Sequence, residues 1–491
     1  MINKFIIVGG GTAGWISAIA LLKKLENADV ILVDKEIDDQ IGVGEATLLG
    51  FSEFMNDYCE FNDHEWKREL DAVPKAGILF PDWGKEGNDI WHPFSYPNAH
   101  THPTVPPIPM WDALSHFQEE NYKDYLSLWP TVATNEVNTH ELDYYAWNID
   151  CLKLIRYIEN HIKRTYSKFT HIRSTVKDIN RSEDGNIASL VCENGQKIDG
   201  DFFIDCTGFK SILKDNKDTI SLMDEGRLFV DTALAYRIDY DNDLKPFPYA
   251  KCPAVEHGWI WKIPLLTRLG TGLLFNRSIT DIEEAKDYFV DHWDNKIDRE
   301  SLRVIDWTPY YDRNIWDKNV LSVGLSAGFF EPLESTGIGL IIGGITTFIT
   351  SIQGRYFDDY SIDLYNTYII SQCEDIIDFL SMHYGLSERK GKFWDHVRST
   401  WKPSKSLELI ANTLDSPHPS SILNTRPAVM FTHNNWNCWL LQLGYPLKPK
   451  SIPDPTFAHN CLKRYTDYII QNRRTSSNTP LSDFLSQIHK K

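Results

Sequence analysis

Gly9-Gly10-Gly11-Thr12-Ala13-Gly14 has the spacing GxGxxG, which serves a backbone that must close on a pyrophosphate. Gly9 permits the tight turn, Gly11 lets the main chain approach phosphate, and Gly14 lets a helix pack closely on a strand. Asp34 lies 20 residues after Gly14, where an acid accepts hydrogen bonds from ribose hydroxyls. Ser335-Thr336-Gly337 precedes the apolar stretch Ile338 to Ile345, so it can open a helix whose free N–H groups attract an anion. The same residues also read as an ordinary Ser/Thr N-cap. Lys75 sits among Val73, Pro74, Ala76, Gly77 and Ile78, where it is either a desolvated amine or a solvated strand residue.

These residues need elements to position them. Phe5 to Val8 is predicted as a buried strand, Thr12 to Leu25 as a helix apolar on most of its surface until Lys23, and Val30 to Val33 as a second buried strand ending at Asp34. Strand, glycines, helix, strand and acid in that order point to a dinucleotide without separating FAD from NAD. Asp201 to Gly208 reads as another buried strand ending in a turn of small residues. In FAD-binding oxidoreductases such a strand returns to the cofactor, so the two segments together favour FAD. Residues 81–149 carry Trp83, Trp91, His92, Phe94, Trp111 and Trp129 among many prolines and suggest a lid or pocket wall with little regular structure. Residues 351–491 are predicted mainly helical, amphipathic from Tyr360 to Tyr384 and aromatic from Arg426 to Pro449, with a flexible tail after Arg473.

Composition removes several classes. With 50 Lys+Arg against 68 Asp+Glu, a net charge of −18 and no basic run longer than two, the 491-residue chain is not expected to bind nucleic acid. Hydrophobic residues at 42% and charged residues at 24% fit a globular chain, long enough for about three domains. The eight cysteines form no CxxC pair, which suggests a reduced, cytoplasmic protein without structural zinc. His92, His100 and His102 are the nearest metal-like spacing, and no metal is expected there. The uncharged stretch Phe5 to Leu22 could pass for a signal peptide or membrane span, but glycines at 9, 10, 11 and 14 break it, so no membrane partner is expected.

Four segments resemble the flavin-dependent halogenases, and particularly their tryptophan-halogenase branch: GGGTAGW (Gly9 to Trp15), GVGEAT (Gly42 to Thr47), WIWKIP (Trp259 to Pro264) and EPLESTGI (Glu331 to Ile338). The resemblance implies an α/β fold of the FAD-binding, flavin-monooxygenase-like (Rossmann-type) kind, with an interwoven substrate-side sheet and a mainly helical C-terminal region. Residues 1–80, 150–225 and 320–350 would form a discontinuous FAD module. Residues 81–149 and 226–319 would form the substrate-side sheet and lid, and 351–491 would complete the substrate pocket.

It also implies a reaction. Reduced FAD, oxygen and a bound halide (chloride, bromide or iodide) yield hypohalous acid, which passes through the protein to a lysine beside an electron-rich aromatic substrate, indole-like or phenol-like. Lys75 matches that lysine, and Glu334 the glutamate that stabilises the ring cation or takes its proton. Thr336 and Gly337 match the halide-binding positions. Val43, Gly44, Ala46, Leu325 and Ile338 match flavin-binding positions, beside Gly9, Gly10, Gly11, Thr12, Ala13, Gly14 and Asp34. His92 and Phe94 fit an HxF pair lining the substrate pocket, to which Trp436 and Trp439 would add aromatic surface. Trp259 and Trp261 would flank the passage from flavin to substrate, and a strand over Gly258 to Ile263 is expected to place them on opposite faces. No second nucleotide fingerprint is present, so a separate NAD(P)H-dependent reductase would supply FADH2. A homo-oligomer is left open.

No Asp or Glu occurs between residues 416 and 453, where the branch holds its substrate's amino-acid backbone. An ammonium group there would be poorly compensated, so neutral arenes are expected to compete with free tryptophan. A flavin-dependent aromatic hydroxylase is the alternative enzyme, against which Lys75 and WIWKIP speak. A flavin-binding structural or sensor protein is the alternative of another class.

Overall fold

The structure is a computed structural model that describes residues 1–35, 45–85, 87–94, 126, 128–215, 217–404, 407–408, 426–444, 456, 460, 463 and 478–490. Val43, Gly44, Trp111, His100 and His102 lie outside the described residues. The chain divides into two compact units, one of residues 1–72, 149–222 and 307–373, the other of residues 73–148, 223–306 and 374–491.

In the first unit, a sheet of six described strands runs in the order Trp316–Asp317, Val320–Ser322, Phe202–Asp205, Lys4–Val8, Asp29–Asp34, Phe169–Arg173. All neighbours are parallel except the Trp316–Asp317 edge. Strand Lys4–Val8 runs through helix Thr12–Lys24 into strand Asp29–Asp34, as the apolar runs predict. Ile6, Val8, Val33, Ile172, Leu190 and Phe203 share one buried cluster. Consecutive connections run from Lys4–Val8 toward Phe169–Arg173, whereas Phe202–Asp205 returns on the other side of Lys4–Val8. The carboxyl ends of strands Lys4–Val8 and Phe202–Asp205 therefore border the crevice where open α/β sheets bind ligands.

In the second unit, the main sheet runs Arg303–Asp306, Thr232–Asp239, Arg268–Phe275, Gly258–Pro264, Ala250–Lys251, Gly77–Pro81, Asp89–Pro93, with Ala254–Val255 also paired to Gly258–Pro264. Its neighbours are antiparallel except Ala250–Lys251 with Gly77–Pro81. Ala285 and Phe289 of helix Ile282–His292 pack with Ile260, Leu269 and Leu273 of this sheet. The amphipathic stretch Tyr360 to Tyr384 is helix Asp359–Gly385.

Three expectations need correction. The tail after Arg473 is not all flexible: strand Asn478–Pro480 pairs with Glu136–Asn138, and helix Leu481–Ile488 buries Leu481, Phe484 and Leu485. Those apolar residues recur at helical spacing, a signal outweighed by the polar run before them. The 81–149 segment carries regular strands at Asp89–Pro93, Glu136–Asn138 and Ala146–Ile149. Trp259 and Trp261 lie on one face, because residues two apart on an unbroken strand share a side, and Gly258–Pro264 keeps its register against Arg268–Phe275 throughout. No helix among the described residues is long and apolar enough to cross a membrane.

Candidate active site

The glycine loop is built by close approach. Gly9 has φ +110°, a conformation side chains rarely adopt, and an added Cβ would stand 2.2 Å from the Cys206 carbonyl oxygen. A Cβ on Gly14 would stand 1.9 Å from the Gly9 oxygen, so helix Thr12–Lys24 rests directly on the turn. Gly11 differs, since a Cβ there meets no atom of the described residues within 4 Å. Gly11 is also the helix N-cap and offers no side-chain hydrogen bond to the first-turn N–H groups. Close packing at Gly9 and Gly14, beside open space at Gly11 and an uncapped helix start, fits a dinucleotide phosphate.

Asp34 closes one side of this loop, with its Oδ2 where a Cβ on Gly10 would fall. Its Oδ1 lies 2.8 Å from His171 Nε2, and Arg173 Nη1 donates at 3.2 Å to Oδ1 and 3.3 Å to Oδ2. Thr12 and Glu45 both lie beside the buried Cys151 thiol, which sets strand Glu45–Ala46 near the start of the loop helix. Burial, and next Glu45, push that thiol's pKa well up.

On the other side, strand Phe202–Asp205 ends in a carboxylate hub. Asp205 Oδ1 accepts from Thr207 N, Thr207 Oγ1 and Ser326 Oγ, and Oδ2 accepts from Leu213 N. Tyr310 Oη donates 2.6 Å to the Leu325 carbonyl oxygen. Gly324, at φ +69°, has no room for a Cβ beside Ala13, whose Cβ would be 2.9 Å away. The turn bearing Leu325 is thus tied to strand Phe202–Asp205 by the Asp205–Ser326 bond, braced by Tyr310, and set against the loop helix at Gly324 and Ala13; Asp205, Ser326 and Tyr310 were not singled out as site residues from the sequence. The Asp-Cys-Thr-Gly run after a buried strand was the available signal.

The EPLEST segment leads into helix Gly337–Ser351. Glu334 is buried, and Ser335 turns the chain through φ +62°. Thr336 stands at the N-cap, yet its side chain makes no capping hydrogen bond and the first turn carries no acid. Among the described residues, nothing lies within 4 Å of a would-be Cβ at Gly337. The first-turn N–H groups are thus without a side-chain cap from Thr336, as at a helix start that can receive an anion. Ile338, the next residue, is buried.

The second unit gathers the remaining predicted residues. Lys75 is fully buried at the end of strand Val73–Lys75. Its Nζ lies 4.5 Å from the centroid of the Phe94 ring, held there by a hairpin in which Gly77 pairs with Pro93 and Phe94 N donates to Ala76 O. His92, also buried, has its Nε2 3.0 Å from Asn435 Nδ2 of helix His433–Gln442. Its ring lies 5.6 Å from Phe379, 6.3 Å from Phe431 and 6.4 Å from Trp439. Trp436 joins through Phe379 at 5.2 Å, and its indole N–H has no partner among the described residues. Trp259 Nε1 donates 2.8 Å to Tyr384 Oη, while the Trp261 ring occupies the space that a side chain at Gly272 would fill.

Carboxylates reach the 426–444 segment from helix Asp359–Gly385. Asp375 Oδ2 accepts the backbone N–H groups of Met430 at 2.7 Å and Phe431 at 2.8 Å, and its Oδ1 pairs with Arg426. Asp378 pairs with Arg426 and Arg227. Burial, opposed by the Phe431 and Met430 N–H groups and Arg426, pushes Asp375 up to about 6.

Comparison with known proteins gives the chain its relatives. A family profile described as tryptophan halogenase matches residues 4–454. The chain is 27% identical to tryptophan 6-halogenase ThaL of Streptomyces albogriseolus over 531 residues, covering 99% of each protein. It is 27% identical to tryptophan 7-halogenase RebH of Lentzea aerocolonigenes over 431 residues, covering 83% of this chain and 80% of that one. Among solved structures, BrvH, a flavin-dependent halogenase from Brevundimonas sp. BAL3, superposes with a TM-score of 0.86 at 25% identity over 100% of both chains. The tryptophan halogenase of Shewanella frigidimarina NCIMB 400 shares the fold, with a TM-score of 0.87 at 23% identity, over 99% of this chain and 98% of that one. These relatives are halogenases, and nothing in them favours the hydroxylase or the sensor reading. The chain belongs to the tryptophan halogenase family and is a flavin-dependent halogenase.

Proposed function

We propose that this halogenase acts on a small, uncharged, electron-rich arene of the indole type at least as well as on free tryptophan. One observation carries the reading: Asp375 and Asp378, which bind the 426–431 segment, are already engaged by Arg227, Arg426 and two backbone N–H groups. No acid of residues 416–453 is available in their place. Neither Asp375 nor Asp378 is left over to pair with a substrate ammonium, whereas an indole ring gains stacking and apolar burial beside His92, Phe431, Trp436 and Trp439.

The first unit fits FAD, with Gly9, Gly11 and Gly14 shaping the phosphate turn, Asp34 and Ala46 flanking it, and Leu325 and Ile338 on the later segments. When bound as FADH2, replenished by a separate reductase, this cofactor supplies the oxygen chemistry that turns halide into hypohalous acid. Thr336 and Gly337 attract the halide at an uncapped helix start. Lys75, buried and backed by Phe94, donates a hydrogen bond to the oxidant and polarises it toward the ring. Glu334, buried away from bulk water, balances the ring cation and accepts its proton. Chloride, bromide and iodide are all candidates, bromide and iodide being the easier to oxidise. Turnover of indole and tryptophan under reduced flavin and bromide, read as halogenated product by mass, tests the reading. Product from tryptophan alone would contradict it.

A further inference from the structure

Strand Val73–Lys75 pairs antiparallel with strand Ala146–Ile149, in the register Val73 with Asn148, Pro74 with Trp147 and Lys75 with Ala146. Directly opposed residues share a face of a sheet, and so do residues two apart on one strand. Asn148 therefore stands on the same face of this ladder as Lys75, diagonally across from it, at a separation that one small molecule can bridge. Asn148 is 0% exposed, and neither its Oδ1 nor its Nδ2 has a hydrogen-bond partner among the described residues. A buried carboxamide without partners costs stability, and a β-branched apolar residue would suit the strand without that cost.

Resting on the reading of Lys75 given above, we propose that Asn148 is a second holding group for the oxidant. Lys75 donates to the oxygen of hypohalous acid, and the O–H of that acid donates to Asn148 Oδ1. Two contacts on the oxygen end leave the halogen directed away from both side chains, toward the ring. As the carbon–halogen bond forms, the halogen–oxygen bond breaks and oxygen keeps the electron pair. With the proton that the ring releases, it leaves as water.

The test uses the full-length enzyme with FAD, a flavin reductase, bromide and indole. It reads halogenated indole per reduced flavin consumed, and hypobromous acid captured by a soluble 1,3-diketone. Asn148→Leu is expected to lower product per flavin about tenfold and to raise capture by the diketone. Retention of both readouts within about twofold of wild type overturns the proposal, because the amide then serves only the fold. If Asn148→Leu fails to fold, Asn148→Thr and Asn148→Val supply the same comparison, differing by a hydroxyl in place of a methyl. Thr is expected to couple better than Val, and equal coupling overturns the proposal. Lys75→Met is run in parallel. Product retained by Lys75→Met overturns the reading on which the proposal rests, whereas loss there with coupling intact in Asn148→Leu overturns the role of Asn148 alone.

Discussion

Lys75 and Phe94 face one another across a hairpin, the lysine Nζ 4.5 Å from the centre of the ring. A buried amine against an aromatic face is kept away from water, the condition under which it can hold a reactive oxidant without losing it to bulk solvent. Lys75→Met preserves side-chain volume and removes the amine. Reduced flavin should still be consumed in this variant, while halogenated product falls by about 100-fold or more, since the lost step lies downstream. Near-normal product would remove Lys75 from the reaction.

Gly11→Val is expected to separate folding from cofactor binding. No described residue occupies the space beside the Gly11 Cα, so the variant should fold, with its branched side chain standing where the phosphates approach. Thermal melts with and without FAD read this directly: wild type is stabilised by saturating ligand, by about 2–4 kcal/mol at concentrations far above Kd, and the variant is not. A variant stabilised as strongly as wild type would show that FAD binds elsewhere.

Halide affinity should respond to Gly337→Ala. The added methyl meets no atom of the described residues, so the helix is tolerated or improved, yet the methyl takes space at the uncapped end. The bromide KM is expected to rise about tenfold with kcat at saturating bromide changed much less. An unchanged bromide KM would move the halide away from this helix.

Much of the first unit was readable from residue types alone, because GxGxxG, buried apolar strands and a terminal acid are local signals. Gly9 and Gly14 proved to be positions where backbone meets backbone at 2.2 Å and 1.9 Å of a hypothetical Cβ. Helix Asp359–Gly385 was likewise written in the amphipathic run from Tyr360. Long-range partners were not legible. His171 and Arg173 reach Asp34 from a strand about 140 residues away, and their identities carry no pattern that names the pairing. The acid-free stretch around Arg426 suggested missing anions, but it could not say that helix Asp359–Gly385 brings Asp375 and Asp378 to that segment. The error over Trp259 and Trp261 was one of counting along a strand, since alternate residues share a face.

The Asp375 cluster gives the fold a pH dependence whose sign follows from burial. Asp375 is raised from 3.8 to about 6, so the folded chain holds a proton that the unfolded chain has already released. The stability it contributes is complete below about pH 4 and is lost as pH rises through about 6. Arg426, Arg227, Asp378 and Glu374 are the charged groups of the same network. Asp375→Asn keeps an oxygen for the Met430 and Phe431 N–H groups and removes the titration. Relative to wild type, the variant should gain stability between pH 4 and 7, on the order of 2 kcal/mol, in melts recorded across that range. Parallel curves for the two proteins would contradict the assignment.

With Asp375 and Asp378 already paired with arginine and backbone N–H groups, the proposed substrate is a neutral arene. Competition between indole and tryptophan at equal concentration, with bromide and a flavin-reducing system, measures the ratio of kcat/KM values in one vessel. The predicted result is bromoindole at least equal to bromotryptophan throughout the time course. A preference for tryptophan of about tenfold or more would contradict it, because the site would then hold the amino-acid end of tryptophan better than it holds a neutral ring.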